Sequence, residues 1–388
     1  MTSENIVRIQ YTVYNSTASD TYPAVLVRPH CKMYIIAFLC VCCGAVFFLK
    51  LSKSKYRKLA SPGPCLPVLG HSYLLFKKSV LEDPANGIWK LYRNHNRDGI
   101  LHMNTFSLNT VWIGDYKKIK YLFNLPEVTA RLNKTMLELA LPSRRVQGPE
   151  MPGILFSDGQ TWHQQRRFTL RTLRDFGFGK QGMEELIQEE IVQFKNLLDR
   201  SLNEPVDFMN KLTLPILNAL WNVTGGERFD YDNPRLKDLV VRMTETFKIL
   251  GDPSQALLAA FPWLAKVFPG LFNFDYATKC LVDVSDMMLE NILKHKETLD
   301  ANAPRDFIDM MLIEIENTTD PGSSFHGRLG LDNLKVTMFD LFIAGSETTS
   351  TTLTWAALYM VRYPGVQARV QQELDTVVGI NRWGYMQQ

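Results

Sequence analysis

Trp162 and Arg166 stand four positions apart in the stretch GQTWHQQRRFTLRTLRDFGFGK, Gly159 to Lys180. On a helix that spacing puts both on one face, where an indole N–H and a forked guanidinium point at one anionic group, and the planar fork suits a carboxylate. Between 160 and 180 the chain carries Arg166, Arg167, Arg171, Arg174 and Lys180 against the single acidic residue Asp175. A solvated amphipathic helix with snorkelling cations explains this segment as readily as a site does. A second group is polar in an unfavourable place. The run DLFIAGSETTSTTLTW, Asp340 to Trp355, sets Gly345, Glu347 and a cluster of hydroxyls amid Leu334, Met338, Leu341, Phe342, Leu353 and Trp355. Glycine in a helix interior is roughly 1 kcal/mol worse than alanine, and a buried unpaired carboxylate is costlier still. A local violation of this kind marks a site.

Both groups need helices to hold them. The second lies in a proline-free segment from Gly330 to Tyr363, long enough to cross a whole domain, and Pro364 ends it. Apolar periodicity and end signals predict helices over Tyr116–Phe123, Gln160–Arg174, Gly182–Leu202, Leu212–Gly225, Pro234–Leu250, Asp275–Leu299, Asp306–Glu316, Leu331–Arg362 and Gly365–Val378. Ahead of them, Gly99–Phe106 and Asn109–Asp115 alternate like a hairpin. The fold class expected is mainly α with a small β region, without internal repeats.

A chain of 388 residues with 46% hydrophobic residues can bury a sizeable core. The net charge of +3 and the absence of a basic stripe interleaved with aromatics exclude nucleic acid as the expected partner. Cys31, Cys40, Cys42 and Cys43 lie in or beside one apolar run, so the six cysteines form neither a disulfide scaffold nor a zinc spacing. Cys280, in ATKCLVDV, reads as a buried structural thiol, with a thiolate ligand or nucleophile as the alternative.

The apolar run Met33–Leu49 spans roughly 25 Å as a helix, the short end of what crosses a bilayer. Its position and its bulky Phe47-Phe48-Leu49 end favour an anchor over a cleaved signal peptide. Lys50, Lys53, Lys55, Arg57 and Lys58 follow it, while Arg28 and Lys32 precede it, which puts residues after 50 in the cytosol and the glycosylation acceptor at Asn15 in the lumen. SPGPCLPVLG, Ser61 to Gly70, reads as a stiff hinge, because Pro62, Pro64 and Pro67 each remove a donor. The expected layout is a lumenal segment over 1–32, an anchor over 33–49, a basic and proline-rich hinge over 50–70, a main domain over 71–379 and a divergent tail over 380–388.

AGSETT at Ala344–Thr349 resembles the oxygen-binding motif of the cytochrome P450 family, (A/G)Gx(E/D)T(T/S), midway along a long helix as in that family. Trp162-x-x-x-Arg166 resembles its haem-propionate motif, and SPGPCLPVLG its proline-rich hinge. FSDGQTWHQQRRFTLRTLRDFGFGK and YPGVQARVQQELDTVVG are similar to the animal microsomal group related to the drug- and steroid-metabolising members, and the resemblance covers Lys32 to Gly379. It implies a haem-thiolate monooxygenase on a single N-terminal transmembrane helix in the endoplasmic reticulum, with its catalytic domain cytosolic. Haem b would be the cofactor. The partners implied are O2, a lipophilic substrate (steroid, fatty acid or xenobiotic) and NADPH-cytochrome P450 reductase, a flavoprotein that passes on electrons from NADPH.

The resemblance also implies roles. Trp162 and Arg166 would bind the haem, with Ala344 and Gly345 at its distal face, where a missing Cβ lets dioxygen approach the backbone. Thr348 would hydrogen-bond to the Ala344 carbonyl, opening a notch, and with Glu347 would form a proton relay. The loop Leu141–Phe156, the segment Arg242–Phe261 and the oxygen helix would line the pocket. The family's cysteine-bearing loop and Glu-x-x-Arg helix do not follow Thr349, so no residue is assigned as metal ligand. INRWGYMQQ departs from the pattern, and the fold is expected to be incomplete, truncated before the haem-ligand loop. The alternative is a non-catalytic, membrane-anchored helical protein that binds a lipid or partner without haem chemistry.

Overall fold

Proline and histidine together shape the first ordered stretch. The hinge forms only isolated bridges, Leu66 with Gly70 and Gly70 with Thr105, as expected where prolines remove donors. The buried imidazole of His71 fastens it: Nδ1 accepts the Asn104 N–H at 2.9 Å, and Nε2 bonds Ser61 Oγ at 2.9 Å and the Gly63 carbonyl at 3.2 Å. Burial pushes the His71 pKa down, in keeping with a neutral ring that accepts on one nitrogen and donates on the other.

The computed structural model describes residues 56, 58–66, 69–106, 108–131, 151–201, 204–252, 255, 258, 261 and 263–379. The expected lumenal segment with the acceptor at Asn15, the anchor over 33–49, the start of the hinge, residues 141–150 and the tail over 380–388 lie outside these. Among the described residues no helix is long and apolar enough to cross a membrane.

Residues up to Ile119 form one compact unit and those from Lys120 a second. In the first, α1 (Lys78–Leu81) and α2 (Pro84–His95) precede an antiparallel pair, β1 (Ile100–Thr105) and β2 (Leu108–Ile113), with Ile100 opposite Ile113 and Thr105 opposite Leu108. The pair matches the expected hairpin. Leu101 and Met103 alternate inward and pack with Leu74, Leu91 and Tyr92. The helix α2 is an addition to the expected elements: Asp83 caps it, accepting the Asn86 N–H at 3.2 Å, and Pro84 occupies its first turn.

In chain order there follow α3 (Tyr116–Leu122), α4 (Gly159–Asp175), α5 (Gln181–Asp199), α6 (Phe208–Gly225), α7 (Pro234–Leu250), α8 (Leu264–Val267), α9 (Phe274–Glu297), α10 (Phe307–Asn317), α11 (Gly327–Arg362) and α12 (Pro364–Val377). The long central helix begins four residues before its expected start. Caps explain several ends: Asn233 accepts the Arg235 and Leu236 amides, Asp306 accepts the Asp309 amide, and Gly226 closes α6 in the left-handed region. The core of this unit gathers α6, α7, α9, α10 and α11. Trp221 is its wedge, stacked on Phe229 at 5.3 Å and edge-on to Phe342 at 5.7 Å. Cys280 is buried in this core, as the structural alternative has it.

Candidate functional site

The central helix α11 changes character along its length. Leu334, Met338, Phe342 and Ile343 are buried, whereas Ala344, Thr348, Thr349 and Thr352 are exposed. Ser346 and Ser350 stay fully buried on the opposite side. An exposed strip therefore opens where the buried N-terminal part of the helix ends, at the glycine and hydroxyls that sequence singled out.

Hydroxyl hydrogens in this strip are spent on the helix itself. Thr348 Oγ1 donates to the Ala344 carbonyl at 2.8 Å, as expected, and Thr352 Oγ1 repeats the bond one turn later to the Thr348 carbonyl at 2.7 Å. On the buried side Ser350 bonds the Ser346 carbonyl and Thr354 the Ser350 carbonyl, each at 2.7 Å. Each such bond competes weakly with the backbone ladder and eases a helix toward bending. Glu347 is half-buried and is held from two sides. Thr244 Oγ1 of α7 donates to its Oε2, and Thr351 Oγ1 to its Oε1, both at 3.4 Å. Hydroxyl donors meet the desolvation cost that made this carboxylate anomalous in the sequence.

The other pair behaves as its spacing predicts. Trp162 is half-buried and Arg166 exposed, and the guanidinium carbon stands 5.4 Å from the indole centroid. This cation–π contact pre-orients the fork. The helix α4 is fastened beneath them through Ser324, whose N–H donates to Gln164 Oε1 at 2.9 Å and whose Oγ accepts from the buried Gln165 Nε2 at 2.9 Å. Asn333 of α11 donates to the Ser324 carbonyl at 2.9 Å. Trp162 and Arg166 therefore stand on a helix tied to α11.

Two residues of α11 that sequence did not single out complete the frame. Asn333 Oδ1 accepts the Gly153 N–H, and Asp340 Oδ2 accepts the N–H groups of Ile154 and Leu155 at 2.8 and 2.9 Å. Gly153 has φ +87°, and a Cβ there would lie 2.5 Å from both Asp340 Oδ2 and Val336 Cγ1, so no other residue fits without movement. The signal in the sequence was a second carboxylate within an apolar helix. Its partners are backbone amides, which leave no side-chain signature.

The sequence profile of the family described as Cytochrome P450 matches residues 62–388. Cytochrome P450 2J5 of Mus musculus is 32% identical over 359 residues, which is 91% of this chain and 66% of the relative. Cytochrome P450 2C8 of Homo sapiens is 33% identical over 361 residues, 91% of this chain and 69% of the relative. Cytochrome P450 2J2 of Homo sapiens is 34% identical over 344 residues, 87% of this chain and 64% of the relative. The chain belongs to the cytochrome P450 family, whose members use haem and NADPH-derived electrons passed on by a reductase. It spans about two thirds of the length of the curated relatives it matches.

The residues present fit part of a haem site. The exposed strip Ala344–Thr348 fits its distal side, and the stacked Trp162 and Arg166 fit its propionates. Of the two described cysteines, Cys280 is walled into the core and Cys65 lies in the proline-rich hinge, and burial pushes both thiols up.

Proposed function

We propose that this chain carries the distal, oxygen-handling half of a haem-thiolate monooxygenase that inserts one oxygen atom into a lipophilic substrate, a steroid, fatty acid or xenobiotic. The observation that carries it is the exposed strip Ala344–Thr348 directly after the largely buried run Leu334–Ile343 of α11, with the Thr348 hydroxyl bonded to the Ala344 carbonyl. When bound, the haem supplies oxygen activation, with electrons passed on by NADPH-cytochrome P450 reductase. Trp162 and Arg166 bind its propionates, and Ala344, with only a methyl group, leaves the distal face open. Thr348 Oγ1 holds a proton, pointed at Ala344 in the resting arrangement, and delivers it after turning toward the exposed side. Glu347, its carboxylate kept in place by Thr244 and Thr351, takes up a proton from solvent and passes it to that hydroxyl. Residues 33–49 anchor the protein in the endoplasmic reticulum membrane with the domain in the cytosol, behind a hinge ending at Gly70.

A second reading rests on Cys280 lying walled into the core as a structural thiol: an anchored helical protein that binds a lipid or partner without haem chemistry. One experiment separates the two. The 388-residue chain, and the same chain extended after Gly379 with the C-terminal third of a matched relative, are expressed with haem, reduced and exposed to carbon monoxide. A thiolate-type Soret band in the extended chain, absent from the 388-residue chain, supports the monooxygenase. Failure of the extended chain to take up haem overturns it.

A further inference from the structure

Gly345 has an occupant opposite it. A Cβ built on Gly345 would lie 2.4 Å from Leu220 Cδ2 and 3.8 Å from Leu220 Cγ, with no other neighbour inside 4 Å apart from its own helix and chain neighbours. Successive helix positions turn by about 100°, so the space left by the missing Cβ lies beside the exposed strip, about 60° round from Thr348. That space faces α6. Leu220 itself stands beside the most firmly held side chain of that helix: Trp221 is 2% exposed, stacked on Phe229 and edge-on to Phe342 of α11. The Leu220 carbonyl also accepts Thr224 Oγ1 at 3.1 Å.

We infer that Leu220 is a positioning residue for the oxygen-handling turn: its side chain fills the volume opposite Gly345 and sets how closely α6 approaches the helix between Ala344 and Thr348. The inference rests on the function proposed above only for what the turn does; the packing stands without it. Two consequences follow from sterics. A methyl at 345 forces the end of the Leu220 side chain out of its place and loosens the packing of the two helices at this turn. Shortening Leu220 gives that methyl room.

The test is a double-mutant cycle in the full chain, read by hydrogen exchange of the peptide containing Ala344–Thr349 and by the denaturant midpoint. Gly345→Ala should speed exchange there by roughly tenfold, the lower part of what over-packing produces. Adding Leu220→Ala should bring exchange back toward the starting protein, so that the double variant is better protected than Gly345→Ala alone. A purely global loss of stability would move all α6 and α11 peptides together; the expected change is confined to the turn. Additive effects, or exchange raised evenly along both helices, overturn the inference. If Gly345→Ala alone fails to accumulate, Leu220→Met/Gly345→Ala takes its place, since an unbranched side chain can vacate the space. Accumulation with a protected turn supports the inference, and failure of that variant as well overturns it. Neither readout uses haem, so loss of the Soret band in the extended chain with the cycle intact would remove the proposed function and leave the packing role standing.

Discussion

Asn333 Oδ1 accepts the backbone N–H of Gly153 at 2.9 Å, joining positions 180 residues apart in the chain. Two turns further along the same helix face, Asp340 receives Ile154 and Leu155. Together the two side chains hold the strand of backbone that leads into α4, and so hold the helix that presents Trp162 and Arg166.

Asp340→Ala should therefore destabilise the protein by about 2 kcal/mol, since two amides lose a charged acceptor. Denaturant midpoints measure the loss, and limited proteolysis should show new cleavage between Met151 and Asp158. Asp340→Asn, which keeps an oxygen in place, should lose less. Equal losses for the two variants would sink this account of the carboxylate.

His295 and Asp306 form a buried pair at 2.8 Å, with Asp309, Arg305 and Glu227 as the other charged neighbours. Burial alone would lower the His295 pKa, but the bonds to Asp306 and to the Asn291 carbonyl outweigh it and raise the value above 6.5. A raised histidine contributes stability that is complete below the unfolded-state value and is lost as pH rises through the folded value. The stability difference between the protein and His295→Gln should thus shrink from pH 6 toward alkaline pH. A difference that stays constant over that range would exclude the charged pair.

In the extended, haem-loaded chain, Thr348→Ala should lower product formed per NADPH consumed several-fold and raise hydrogen peroxide, with substrate binding retained. Thr348→Ser should keep most of the coupling. Full coupling in the alanine variant would end the proposed role of this hydroxyl.

Arg171 and Arg174 are exposed on α4, and Arg171 meets Asp175 only at 3.9 Å with both side chains largely in solvent. Such a surface pair is weak and leaves the cations available to an acidic partner. Reversing both charges in the extended chain should slow electron transfer from the reductase at low salt and matter less at high salt. Rates indifferent to both changes would discard the patch as a docking surface.

Topology is tested in microsomes. Added protease should digest residues beyond 50, and the acceptor at Asn15 alone should carry glycan. Glycosylation at Asn222, which stands in an Asn-Val-Thr acceptor pattern beyond residue 50, would reverse the orientation.

The long helices were legible because their apolar period is local, and the Thr348 bond to Ala344 was legible because it closes within one turn. The helix α2 was not: Asn86-Gly87 reads as a turn pair, and the cap that starts the helix is an aspartate followed by a proline. Glu347 stood out as anomalous, yet its partner Thr244 lies 103 residues upstream and has no distinguishing neighbour in the sequence. Gly345 was read from its missing Cβ alone, and its neighbour across the helices, Leu220, has no mark in the sequence. At Glu347 and Gly345 what escaped the sequence was a contact between distant helices, set by tertiary packing.

Beyond Ser350 no residue of α11 is buried, and Trp355, Tyr359 and Tyr363 line up there with neighbouring centroids 6.1 Å apart, beside Val361 at 76% exposure. The helix α12 adds Val366, Val370, Leu374 and Val377 in the open. Exposed apolar strips of this kind mark interaction surfaces or aggregation liabilities, and chaperones and proteases act on them in cells. Left uncovered, the strip should shorten the lifetime of this protein. Proteasome inhibition should then raise its abundance, and polar substitution of Trp355, Tyr359 and Val361 should lessen that rise.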